Sequence, residues 1–107
     1  MIKDQINLLK NSLYNLGLSF SEQQKLFPEF VDIVDEVVDD FANSFQYLPY
    51  LMENKAIEYD TVRYIIKCKI QIDQIWNDEE KLTDESFASD KSWNLLRGYA
   101  KKALESF

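Results

Sequence analysis

A chain of 107 residues is long enough for one domain with its own core, and 46 % hydrophobic with 14 % aromatic residues argues against disorder. The net charge of −7 argues against nonspecific binding to nucleic acid or to an anionic membrane, both of which need a positive surface. A single cysteine, Cys68, excludes an intramolecular disulfide, and the lack of histidine removes the commonest general base and metal ligand.

In chain order, Ile6, Leu9, Leu13 and Leu16 recur at helical spacing over residues 3–16, with Gly17 as a natural C-cap. In SFSEQQKLF, Ser21 offers an N-cap with Gln24 three residues on, a capping-box pattern for a short second helix. That helix yields at Pro28, which suits the first turn of the next.

The third helix runs from PEFVDIVDEVVDDF to about Tyr47 and carries six acids with no base among them. Asp32, Asp35, Glu36, Asp39 and Asp40 share one helical face, and Phe30, Val34, Val37, Val38, Phe41 and Phe45 share the opposite one. Like charges three and four residues apart cost about 0.2–0.5 kcal/mol a pair. Dipole stabilisation fades after the first turn, so it accounts for Glu29 and Asp32 better than for Asp39 and Asp40. The row from Asp32 to Asp40 extends about 12 Å and suits a basic partner surface.

Pro49 marks the end of that helix, and YLMENKA reads as a connector or loose turn. The stretch over residues 62–76 fits two patterns. Ile66, Cys68, Ile70 and Ile72 alternate as in a strand, while Val62, Ile65, Ile66, Cys68, Ile72 and Trp76 fit a broad helical face. No other segment alternates to pair with it, so a helix is expected. NDEEKLTDESFASD reads as a loop with a short turn capped by Thr83. The last helix starts near Asp90 and buries Trp93, Leu96, Ala100, Ala103, Leu104 and Phe107, with Lys101 and Lys102 in its later turns. The expectation is a single all-α domain over residues 1–107, a compact bundle of four to five helices.

The N-terminal MIKDQINLL lacks the apolar core and cleavage pattern of a signal peptide, and no stretch approaches the roughly 20 apolar residues of a membrane span. A soluble protein of the reducing cytoplasm is expected. Acidity is concentrated in two patches: residues 29–60 hold nine acids and one base, and residues 77–90 hold six and one.

With only Gly17 and Gly98 there is no Gly-rich phosphate loop, and the acids lack calcium-loop spacing. A carboxylate pair working as acid and base needs a cleft that separates its pKa values, which a solvated stripe does not provide. No enzyme, cofactor or metal site is therefore expected. Cys68, Trp76 and Trp93 read as core. Tyr47 and Tyr50, in FQYLPYL, read equally as helix-end packing or as interface aromatics. The candidate partner-binding residues are Asp32, Asp35, Glu36, Asp39, Asp40, Tyr47 and Tyr50.

The stretch SFASDKSWNLLRGYAKKALESF, with Trp93, Leu96, Arg97, Ala100 and Leu104, resembles the tail of small bacterial immunity proteins. These are paired with contact-dependent growth inhibition toxins and related polymorphic toxins. The acidic helix running into VVDDFANSFQYLPYL is similar as well. The resemblance implies a non-enzymatic protein that binds one cognate toxin domain one-to-one, often a nuclease or tRNase, and covers its active site or substrate surface. It further implies Trp93 and Leu104 in the core, Arg97 tying a carboxylate, and specificity in the acidic helix and the Tyr47–Tyr50 segment. No direct contact with nucleic acid or membrane is implied. The other reading is a generic acidic helical adaptor or nucleic-acid mimic.

Overall fold

Four apolar repeats of helical period become four long helices, and shorter helices fill the connections between them. The computed structural model describes residues 2–28 and 32–107. The elements are α1 (Ile2–Gly17), α2 (Phe20–Leu26), α3 (Ile33–Phe45), α4 (Leu48–Glu53), α5 (Tyr59–Trp76), a 3-10 turn (Glu79–Leu82), α6 (Asp84–Ser89) and α7 (Lys91–Ser106). The fold is an all-α bundle, with no strand among the described residues. Glu29 and Phe30, placed on the third helix by the sequence pattern, lie outside them.

Local chemistry sets the helix ends. The capping box of α2 is made by Ser19 and Glu22, not by Ser21 and Gln24: Ser19 Oγ accepts from the Glu22 N–H at 3.3 Å, and Glu22 Oε1 accepts from the Ser19 N–H at 3.4 Å. Starting two residues earlier places Phe20 edge-on to Phe87, with ring centroids 5.4 Å apart. Asp32 caps α3, its carboxylate accepting from the Asp35 N–H at 3.3 Å, so Pro28 precedes the helix and does not open it.

Pro49 likewise starts a helix where the sequence pattern made it an end. It lies in the first turn of α4, where its missing N–H would have no intrahelical partner anyway. The supposed connector YLMENKA is therefore mostly helical. Two backbone bonds close α4, Lys55 N–H to Met52 O at 3.0 Å and Ala56 N–H to Leu51 O at 2.9 Å. This is a Schellman motif with Lys55 in the left-handed region at φ 55°.

The ambiguous segment is helix α5. Val62, Ile65, Cys68, Ile72 and Ile75 form its buried face, and the alternation with Ile66 and Ile70 is incidental, since both are exposed. Trp76, expected in the core, is 40 % exposed, and Phe107 also reaches solvent. Trp93 is buried as expected, and its indole N–H donates to Lys81 O at 2.7 Å. Its ring meets Phe87 edge-on at 4.6 Å.

The long helices pack as a chain of neighbours. α5 lies most extensively on α7, α7 on α1, and α1 on α3, while α3 and α5 touch only thinly. Leu9, Leu13, Val37, Phe41, Leu51, Ile65 and Leu96 are among the fully buried core residues, each stabilising the fold by about 1.5–3 kcal/mol. Gly17 serves close packing rather than a left-handed cap. No glycine has positive φ, and a Cβ on Gly17 would sit 3.2 Å from Lys101 Cγ and 3.6 Å from Arg97 O. Between α1 and α3, Ser12 and Ser44 are buried with their hydroxyl oxygens 2.7 Å apart. Each also reaches a carbonyl of its own helix, Leu9 O at 2.9 Å and Phe41 O at 3.0 Å.

Arg97 is the buried charge of the bundle, and it ties no carboxylate. Nε donates to Leu18 O at 3.0 Å, Nη1 to Asn94 Oδ1 at 2.9 Å, and Nη2 to Phe87 O. Leu18 follows the end of α1 and Phe87 lies in α6, so both carbonyls carry the partial negative charge of helix C-termini. Two dipole ends replace the expected counter-ion. Burial still pushes the guanidinium pKa below its ordinary value.

Candidate functional site

Amphipathicity decides how the acids are displayed. With Val34, Val37, Val38 and Phe41 buried against the rest of the bundle, Asp35, Glu36, Asp39 and Asp40 necessarily point to solvent, and all four are exposed. None has an ion-pair partner among the described residues. Burial first, then the charges of Asp32 and Asp39, hold the Asp35 carboxyl above its ordinary pKa.

The row divides into two flanks. Asp40 lines a cleft of about 350 Å³ between α1 and α3, together with Tyr47, Leu8, Asn11, Asn15, Asn43 and Gln46, and Ser12 and Ser44 also contribute. No base lines this cleft, and Asp40 is its one formal charge. Its walls offer amide, hydroxyl and carboxylate oxygens, the acceptor set that suits a lysine or arginine side chain.

Asp39 lies on the other flank, toward α5. It borders a hollow of about 220 Å³ with Val38, Phe41, Ala42, Lys69, Ile72, Asp73 and Trp76. Lys69 is already engaged, its Nζ donating to Asp73 Oδ1 at 2.8 Å. A second hollow of about 330 Å³ opens along the same side between Phe45, Leu48, Pro49, Met52, Glu53 and Ile66.

Of the residues named from the sequence, Asp40 and Tyr47 therefore converge on one cleft and Asp39 faces the other side of the same helix. Asp35 and Glu36 extend the two flanks by one turn. Asp32 is occupied as a helix cap. Tyr50 is exposed on α4 and lines neither Asp40's cleft nor Asp39's hollow. The sequence pattern missed Trp76, Ile66 and Met52 as surface residues and Asn11, Asn15 and Asn43 as cleft walls. A signal for Trp76 and Ile66 was present, because α5 carries more large apolar residues than one core face can take.

No group of three or more His, Cys, Asp or Glu residues that could hold a metal occurs among the described residues. No helix among them is long and apolar enough to cross a membrane. Comparison of the chain with protein-family models, with curated proteins and with solved structures returns no match.

Proposed function

We propose that this protein is a small acidic binding protein of the bacterial cytoplasm that neutralises one cognate toxin domain, one-to-one and without catalysis of its own. The reading is carried by the unpaired row Asp35, Glu36, Asp39 and Asp40 on α3, flanked on each side by a cleft that can seat a partner side chain. Such a row imposes a local cost on the helix. A basic partner surface, such as the substrate groove of a nuclease or tRNase, offsets it on binding and is steered toward it from a distance. The sequence resemblance to immunity proteins points the same way.

The test is a growth assay. The last domain, about 150 residues, of the large protein encoded next to this one is expressed in a sensitive host with and without this chain. Arrest alone and recovery with the partner supports the reading; a harmless neighbour, or one lethal regardless, removes it in favour of a generic acidic adaptor. A companion variant, Asp35→Asn/Asp39→Asn/Asp40→Asn, should keep or slightly raise the melting temperature. It should also slow association roughly tenfold or more at low salt. Unchanged association kinetics would make the row a solvated face.

A further inference from the structure

Along the seam between α3 and α5, two long helices run past each other with little contact. Val38 and Ala42 lie opposite Lys69–Trp76, and Phe45 lies opposite Ile66, so the two helices are antiparallel; the first hollow lies between them, and the second continues the seam where Leu48, Pro49, Met52 and Glu53 of α4 face Phe45 and Ile66. Its floor is apolar. Large apolar side chains stand open along it: Trp76 is 40 % exposed, Ile66 39 % and Met52 48 %. From Ile66 to Trp76 the seam is about 15 Å long, the length of roughly three helical turns.

The rim fixes the kind of occupant. Asp39, Asp73 and Glu53 line it against a single base, Lys69, which is bound to Asp73. A second copy of this chain would bring its own −7 charge to an acidic rim, which disfavours self-association. We propose that the α3–α5 seam is a docking groove for an amphipathic helix with basic flanks, presented by the partner protein. This deepens the binding role proposed above and rests on it. Apolar side chains of the incoming helix, spaced three and four residues apart, fill the two hollows, and its lysines or arginines meet Asp39 and Glu53. Trp76 is the aromatic anchor at one end.

The test uses the full chain and a leucine–lysine peptide of about 18 residues, five turns long, with leucines on one helical face. Trp93 is buried and constant, so a change in tryptophan emission reports on Trp76. A saturable blue shift with this peptide is expected, but not with a leucine–glutamate analogue or a scrambled leucine–lysine sequence. Met52→Asp and Ile66→Asp should each weaken binding roughly tenfold or more, while Leu95→Asp, at an exposed apolar position on α7, should not. Thermal melts identify any variant that fails to fold, leaving the other to decide.

Equal binding of the scrambled peptide, or equal loss with Leu95→Asp, overturns the groove. The growth assay separates the two proposals. If Met52→Asp and Ile66→Asp, both folded, still rescue growth and bind the toxin as tightly as the native chain, the groove fails and the toxin-neutralising role stands. If the peptide docks as expected and no neighbour is neutralised, the groove stands and that role fails.

Discussion

Cys68 lies fully buried on the inner face of α5, and burial pushes its thiol pKa up to about 12. Because the thiolate is the reactive form, alkylation by a maleimide should proceed only as fast as the chain unfolds. Rapid labelling of native protein would place the thiol at the surface instead. Asp35 titrates in the opposite sense to a stabilising carboxylate. Its raised pKa means that the native state keeps this proton in a window where the unfolded chain has lost it. Stability therefore falls as pH rises from the ordinary carboxylate value to the raised one, and the loss is constant above it. Asp35→Asn should gain about 0.2–0.5 kcal/mol at neutral pH. By about pH 3, below the carboxylate range, urea melts should show that gain gone. The two tryptophans show what single residues disclosed in advance. Trp93 and Trp76 both sit on apolar helical stripes, but among the described residues only Trp93 has a ring partner, Phe87, and an acceptor for its N–H, Lys81 O. Those partners come from the segment between α5 and α7, which spacing along one helix does not reveal.

At the scale of the element, the helices themselves were legible and their ends less so. Repeats such as Leu9–Leu13–Leu16 and Val34–Val37–Phe41 identify the buried faces of α1 and α3 because one side of a helix must face the core. The ends depend on competition between neighbouring signals. Ser19 prevails over Ser21 because its start lets Phe20 reach Phe87. Pro49 begins α4 because an N-terminal turn tolerates it as readily as a chain break does. Lys55 shows the same competition unresolved, a residue with a Cβ holding a conformation that glycine adopts freely. Lys55→Gly should raise stability by roughly 0.5 kcal/mol, the relief of left-handed strain less the added backbone entropy. Chemical denaturation would show it, and a loss on substitution would mean that the lysine side chain contributes more than its backbone costs.

On the scale of the whole molecule, Arg97 holds three segments together: the end of α1, the α6 turn and α7. Arg97→Met should cost about 3 kcal/mol, since hydrogen bonds to a charged group contribute about 1.5–3 kcal/mol each and do not add fully. Arg97→Lys should recover little of this, because one ammonium cannot replace the planar fork. An unmoved urea midpoint in the methionine variant would show that the carbonyls of Leu18 and Phe87 find other donors. The acid row was visible in the sequence because charge and helical period are both local. The seam beside it was not, since it depends on how closely two different helices approach each other, which the period of neither reveals. The same arrangement gives the last helix a particular place in the assembly. α7 packs on both α1 and α5, and it follows both in the chain. A chain ending at Asp90 would therefore lack the surface on which both α1 and α5 pack. Without the segment from Lys91 onward, the pair formed by α1 and α3 shares no extensive surface with α5, so α7 is the element that joins the two halves of the bundle.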